Sequence, residues 1–184
     1  EKIIRESEDK FRTLYQSSAD AILVLDEKGI FDCNRATLSI FGFASRIEVY
    51  HKQLEHLSAK TQENGQQANY LTQKSKELLS ANKSHKTEWL FQKSNGDVFP
   101  GEAVLNSIEI SGKPILQVVI RDISDRKQAE KEIKQKSEEL SLLADNIDTQ
   151  IWYLEDQYTY GAVNNARAKF LGKSKKDLEH KPIK

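Results

Sequence analysis

The rhythm of apolar and polar positions changes several times along the chain, and each change marks an element. Over residues 1–18, Ile4, Phe11, Leu14 and Tyr15 recur at helical spacing among charged residues, which predicts an amphipathic helix. Its apolar face needs cover, either from the domain's own sheet or from the same helix of a second subunit. Ala21–Leu25 is a short apolar run of strand character, Asp26–Gly29 a turn, and Ile30–Cys33 the return strand of a hairpin. Asn34 is placed to cap a helix over Arg35–Phe41 that Gly42 stops, with Ala36, Ile40 and Phe41 toward the core. A short helix is expected over Arg46–Tyr50 and a loop over His51–Leu57. Tyr70, Leu71, Lys74, Leu78 and Leu79 predict a longer helix within Gln66–Ala81.

Strand periodicity then takes over. His85–Lys93 sets Thr87, Trp89 and Phe91 on one side, and Asn95-Gly96 predicts a two-residue hairpin turn. Asp97–Ile110 follows, with Phe99, Ala103 and Leu105 alternating to one face. Pro100 has no amide hydrogen, so its nitrogen is expected at an edge or a bulge. Ser111-Gly112-Lys113 turns the chain into a last strand, Pro114–Ser124, whose Leu116, Val118 and Ile120 share a face. The order is two strands, helices, then three strands, an α+β arrangement.

From Asp125 to about Ile147 the chain is highly charged and free of Gly and Pro. Ile133, Leu140 and Ile147 are seven apart, and Ala129 and Leu143 add part of a second seam. That pattern fits a short paired helix and equally a solvated single helix joining two units. Beyond it the opening motif returns about 130 residues later. Phe11–Leu14 before Ala21–Leu25 matches Leu140–Leu143 before Gln150–Leu154. With one inserted residue, Asn34-Arg35-Ala36 through Gly42 matches Asn164-Asn165-Ala166 through Gly172. This second copy ends before any equivalent of the last three strands, so its apolar faces are expected to be poorly covered or covered by a neighbour.

Composition narrows the function classes. With 28 basic and 28 acidic side chains the net charge is zero, which offers no general attraction to nucleic acid or to a membrane surface. The apolar runs Ala21–Leu25 and Val118–Ile120 are too short to cross a bilayer, and no signal peptide is seen. The chain lacks Met and opens within a helix, so it reads as a piece of a longer protein whose anchoring is left open. The single Cys33 excludes an internal disulfide and fits a reducing, cytoplasmic compartment. Neither GxSxG, P-loop, HExxH nor a paired-cysteine motif occurs, so no catalytic residue and no metal site is assigned.

Taken in order, Phe11…Leu14…Ser17-Ser18-Ala19-Asp20-Ala21-Ile22, Asp26-Glu27-Lys28-Gly29, Asn34-Arg35-Ala36, Phe41-Gly42, Glu88-Trp89, Asn95-Gly96-Asp97 and Arg121-Asp122-Ile123-Ser124-Asp125-Arg126-Lys127 resemble a PAS domain, the sensory module of signalling proteins. The resemblance spans residues 8–127. It implies a five-stranded antiparallel sheet with helices packed on one face, flanked by linker helices. It divides the chain into an N-terminal helix (1–18), a PAS domain (19–125), a linker helix (126–147) and an incomplete second PAS unit (148–184). It also implies a sensory input or relay module whose Arg121, Asp122, Ile123 and Ser124 join the last strand to an output helix. The effector would lie in the same polypeptide: a histidine kinase, a cyclic-dinucleotide synthase or hydrolase (a diguanylate cyclase or phosphodiesterase), or a chemoreceptor.

Several site residues follow. Asp122 is placed to tie the strand end to nearby backbone or to a cation, Arg121 or Arg126, and Ser124 to cap the following helix. Phe99, Ala103, Leu105, Leu116, Val118 and Ile120 line a small-molecule pocket or simply fill a core. Flavin is disfavoured, because the light-sensing subclass needs an Asn-Cys-Arg motif and Cys33 precedes Asn34. Haem is disfavoured, because His51 and His56, the nearest candidate ligands, fall in a loop. Ile4, Phe11 and Leu14, with the linker helix, would form a homodimer seam. The alternative function is an interaction module without a ligand.

Overall fold

The structure, a computed structural model, describes residues 2–63, 65–81 and 83–183; the side chains of residues 2–4, 80 and 81 lie outside that description. Contacts divide the chain between Lys127 and Gln128 into two units. The first contains α1 (Lys2–Ser17), β1 (Ala21–Asp26), β2 (Gly29–Cys33), α2 (Arg35–Phe41), α3 (Tyr70–Ala81), β3 (Ser84–Gln92), β4 (Val98–Ile110), β5 (Lys113–Asp122) and the first turn of α4 (Ser124–Asp145). The strands form one five-stranded antiparallel sheet in the order β2-β1-β5-β4-β3.

Alternation decides the inner face. Ala21, Leu23 and Leu25 stand opposite Ile120, Val118 and Leu116, and Ile120 and Val118 in turn face Ala103 and Leu105. All of these are buried, as are Trp89, Phe91 and Phe99. Phe41 of α2, Val49, Leu54 and Leu57 of the connecting segment, and Leu71 and Leu78 of α3 cover them. The centre of this packing is aromatic. Phe41 meets Phe91 edge-on at 5.9 Å and Phe99 at 5.4 Å, arrangements that suit the ring quadrupoles. Gly101 makes room for this cluster, because a Cβ there would sit 2.7 Å from the Phe91 ring.

One side chain organises the N-terminal half. Asn34 is fully buried. Its Oδ1 accepts from the Ile22 amide at 2.9 Å, the Thr37 amide at 3.0 Å and the Thr37 hydroxyl at 2.9 Å. Its Nδ2 donates to the carbonyls of Asp20 at 2.9 Å and Tyr15 at 3.2 Å. The residue that caps α2 therefore also pins the end of α1 and the start of β1.

Local differences from the sequence reading have physical reasons. Thr37 joins Phe41 as a buried residue of α2, while Ala36 is half-buried, because the Thr37 hydroxyl is satisfied by Asn34 and by the Ile22 carbonyl. The helix expected over Arg46–Tyr50 is a single 3-10 turn, Arg46–Glu48, and the loop over His51–Leu57 contains another, Leu54–Leu57. Such turns are too short to show a periodicity. The β3–β4 loop has three residues rather than two: the Lys93 amide donates to the Asp97 carbonyl, the Gly96 amide to the Lys93 carbonyl, and Gly96 takes φ 95°. Ser94 at its tip donates from its amide to the Phe41 carbonyl, docking the loop on the end of α2. The Ser111-Gly112 turn has φ 52° and 74°, the left-handed pair that suits a two-residue hairpin. Finally, α4 ends at Asp145, so Ile147 lies beyond it.

The second unit holds the remainder of α4, β6 (Trp152–Leu154), β7 (Tyr160–Val163), α5 (Asn165–Phe170) and α6 (Lys175–Leu178). The β6–β7 pair is antiparallel, and a small core joins Tyr160, Val163, Ala168 and Leu178. Asn164 repeats the role of Asn34. Its Oδ1 accepts from the amides of Ile151 and Arg167, and its Nδ2 donates to the carbonyls of Ala144, Ile147 and Thr149.

Asn34→Ala removes the Asn34 partner from the Ile22 and Thr37 amides and from the Tyr15 and Asp20 carbonyls, and leaves the Thr37 hydroxyl with the Ile22 carbonyl alone. It is expected to lower stability by about 2–4 kcal/mol, measured as a shift in the urea unfolding midpoint with an unchanged slope. A loss under 0.5 kcal/mol would contradict the hub.

Candidate functional site

The end of β5 is held from three directions. Arg121 grips the Asp20 carboxylate side-on, with Nε 3.1 Å from Oδ1 and Nη2 2.8 Å from Oδ2. Asp20 is the residue whose carbonyl accepts from Asn34, so the strand end and the buried hub share it. Asp122 turns the other way. Its Oδ1 accepts from the Ser124 amide at 2.8 Å and the Ser124 hydroxyl at 2.6 Å, an Asx turn that opens α4. Of the two tethers expected for Asp122, the backbone is the one formed. Arg121 and Arg126, the cations considered for it, pair with Asp20 and Glu88. Ser124 is consequently the first helical residue and donates to Asp122, rather than capping a helix that starts at Asp125.

Ile123 is the buried pivot between strand and helix, 4% exposed. Its amide donates to the Pro100 carbonyl at 3.0 Å, one step past the last β4–β5 register pair, Gly101 with Asp122. Pro100 has no hydrogen to return, so the Ile123 carbonyl is available to the helix and accepts from the Lys127 amide at 2.9 Å. The imino nitrogen thus stands where the sheet gives way to the helix, at the end of the β5 ladder.

The third tie comes from β3. Glu88 meets Arg126 Nη2 at 2.6 Å and Lys127 Nζ at 2.5 Å. Lys127, through its hydrogen bond, leads in holding the Glu88 carboxyl below the usual range. Lys86 and Glu102 pair at 2.9 Å on the neighbouring strands. The two Glu88 pairs are exposed, each worth about 0–1 kcal/mol in water. Their effect is directional: they fix the azimuth of the first turn of α4 against β3.

The remaining predicted residues fall into separate places. Phe99, Ala103, Leu105, Leu116, Val118 and Ile120 all belong to the inner-face core and are at most 3% exposed. A broad apolar cleft of about 750 Å³ lies instead on the outer face, between α1 and the sheet, with Phe11, Leu14, Ile22, Phe31, Ile110 and Ile115 in its lining. Phe11 and Leu14 are 70% and 72% exposed there, and the side chain of Ile4 lies outside the described residues. His51 and His56 are exposed, and His56 Nδ1 accepts from the Gln53 amide. Cys33 is buried on β2, where burial pushes its thiol pKa up. Asp20, Glu88, Pro100 and Lys127 complete the junction but were not singled out with it, and Arg126 was considered as a partner of Asp122 rather than of Glu88. Glu88 and Arg126 are 38 residues apart, and no spacing rule joins them.

A family model described as a PAS domain matches residues 19–125. The chain belongs to the PAS domain family. Solved structures agree on the fold. The PAS domain of an HTR-like protein from Haloarcula marismortui is 21% identical, with a TM-score of 0.55, and the match covers 66% of this chain and 96% of that one. A PAS domain from Colwellia psychrerythraea is 16% identical, with a TM-score of 0.54 and coverage of 65% and 98%. A domain of a sensory box sensor histidine kinase/response regulator from Geobacter sulfurreducens is 21% identical, with a TM-score of 0.52 and coverage of 65% and 96%. No curated protein matches the chain.

The depressed Glu88 pKa sets a pH window. The clamp on α4 is fully present above the ordinary carboxylate pKa of about 4.3 and is lost only as pH falls through the lower folded value. The Lys127 amide, donor to the Ile123 carbonyl, is therefore expected to keep its protection relative to the intrinsic exchange rate below pH 4.3 in the wild type. Glu88→Gln should show faster exchange at neutral pH, and equal rates in both proteins would remove the clamp.

Proposed function

We propose that the first unit is a sensory input and relay module, coupling changes in the PAS core to a downstream effector through Arg121–Ser124 and α4. The observation that carries this is a continuous line of contacts. Asn34 bonds to Asp20, Asp20 to Arg121, and the next residue, Asp122, opens the helix. A shift of β1 or α1 at the hub changes the seat of Arg121, and with it the geometry of the strand end. Membership of the PAS family supports the sensory role, and the sensor-kinase origin of one structural neighbour suggests the same setting for the parent of this chain. The signal enters through the core, by a small ligand or by packing alone. Nothing in the junction handles chemistry, so catalysis belongs to the effector. Among the described residues, no helix is long and apolar enough to cross a membrane.

The same reading makes residues 128–184 the opening part of a second PAS unit, supported by the paired roles of Asn34 and Asn164. It makes the module a homodimer through α1 and α4. The exposed Phe11 and Leu14, and Ile133, Leu140 and Leu143 at 58–70% exposure, support that arrangement. A dimer without a ligand is the second reading, favoured by the aromatic filling of the core.

Asp122→Ala removes the two bonds that open α4, worth about 1 kcal/mol, so the melting temperature should drop by only about 2–4 °C. Output of the full-length protein should no longer respond to its stimulus; normal signalling from this folded variant would reject the relay. Phe11→Asp with Leu14→Asp should halve the mass measured by light scattering. A monomeric wild type would reject the dimer.

A further inference from the structure

The inner face of the first unit carries a histidine at one end of β3. His85 shares that face with Trp89 and Phe91 and stands opposite Leu105 of β4. The Tyr70 ring, from the first turn of α3, meets His85 edge-on with centroids 6.2 Å apart and stacks on Trp89 at 5.6 Å. Trp89 Nε1 in turn donates to the Ser58 hydroxyl at 2.9 Å, and that hydroxyl donates to the Leu54 carbonyl at 2.8 Å. His85 thus ends a row of rings that fastens the start of α3 to β3. Its Nε2 is buried and has no hydrogen-bond partner among the described residues.

A neutral imidazole can keep its one hydrogen on Nδ1 and leave Nε2 as a bare acceptor, whereas a protonated ring carries a hydrogen on both nitrogens. At Nε2 that second hydrogen is buried without an acceptor, a costly state for a donor and more so for a cation. The charged groups that act on the ring come from α3. They are Lys74 and Glu77, which pair with each other at 2.8 Å. Burial, and after it the Lys74 charge, push the His85 pKa below its ordinary value, against a smaller pull from Glu77. On the strands beside it, Lys86 and Glu102 pair with each other on the opposite face of the sheet. Protonation therefore sets a second cation beside Lys74, whose carboxylate partner is already engaged.

We propose that His85 is a proton-operated latch on α3. With His85 neutral, Tyr70 closes over Trp89; with His85 charged, the start of α3 lifts and the row of rings opens. The change has a short way to travel. Glu88, the residue before Trp89, leaves the other face of β3 to hold Arg126 and Lys127 of α4. That last step, from Glu88 to α4, rests on the proposed relay; the latch itself does not. The direction follows from the lowered pKa. The unfolded chain takes up this proton at about pH 6.5, so the hold on α3 is complete above that value and is lost as pH falls through the lower folded value.

The test is a pH titration of the full chain followed by NMR, from about pH 8 to about pH 5. Of the four histidines, His85 is the one whose signal is missing from His85→Gln. It should titrate with a midpoint below about 6.5. The Trp89 indole N–H should shift with that same midpoint, while the Trp152 indole of the second unit does not follow it. In His85→Gln, and in His85→Leu, which keeps an apolar side chain under Tyr70, the Trp89 signal should hold its position throughout. A His85 midpoint at or above about 6.5, or a Trp89 shift that persists in both variants, would overturn the latch. The second result would point to His56, whose Nδ1 accepts from the Gln53 amide at the start of the Leu54–Leu57 turn. Asp122→Ala should titrate as the wild type does, so failure of the relay and failure of the latch are read separately. A Trp89 shift that leaves the protection of the Lys127 amide unchanged keeps the latch and rejects its connection to α4.

Discussion

A buried carboxamide has to find a partner for every one of its polar atoms, and at Asn34 that requirement brings three elements to one point. The two N–H groups take the Tyr15 carbonyl in α1 and the Asp20 carbonyl just before β1, and the oxygen takes the Ile22 amide of β1 and the Thr37 amide in the first turn of α2. An unpaired group there would carry its whole desolvation penalty, so α1, β1 and α2 cannot move apart independently. The second unit meets the same demand with Asn164, Ala144, Thr149 and Ile151. The same solution reached at two places in the chain indicates that the asparagine, rather than the surrounding apolar pattern, sets the local geometry.

The junction is built on a contrasting principle. Its one buried member is Ile123, and the rest are exposed ion pairs and turn hydrogen bonds. Each is weak in water, yet they approach the strand end from β1, from β3 and from α4 itself. Many small ties can exchange partners without unfolding the sheet, whereas a hydrophobic joint would have to be pulled apart. Pro100 contributes by what it lacks, since the missing hydrogen frees the Ile123 carbonyl for the helix. Rigid hub and adjustable joint share Asp20, whose main chain serves the first and whose side chain serves the second.

Much of this was legible in the residues. The strand alternation, the Asn caps, the Ser111-Gly112 turn and the repeat all follow from local rules, because each depends on neighbours within a few positions. The 3-10 turns escaped because they are shorter than any period, and Thr37 replaced Ala36 in the interior because its hydroxyl has partners that a polarity scale does not see. The three-residue loop at Ser94–Gly96 depends on its docking to the end of α2, a contact across some 50 residues.

The sequence by itself determined the family, the order of elements, the inner-face residues of β4 and β5 and the place where strand becomes helix. Only the tertiary structure decided the partners at that place. It paired Arg121 with Asp20 and Arg126 with Glu88, and left Asp122 to the helix backbone. It likewise filled the inner face with the rings of Phe41, Phe91 and Phe99 and set the open apolar cleft on the other side of the sheet. Charges carry no periodicity and act over a few ångströms, so their pairing is settled by which strands lie side by side, and in this sheet the first strand lies beside the last.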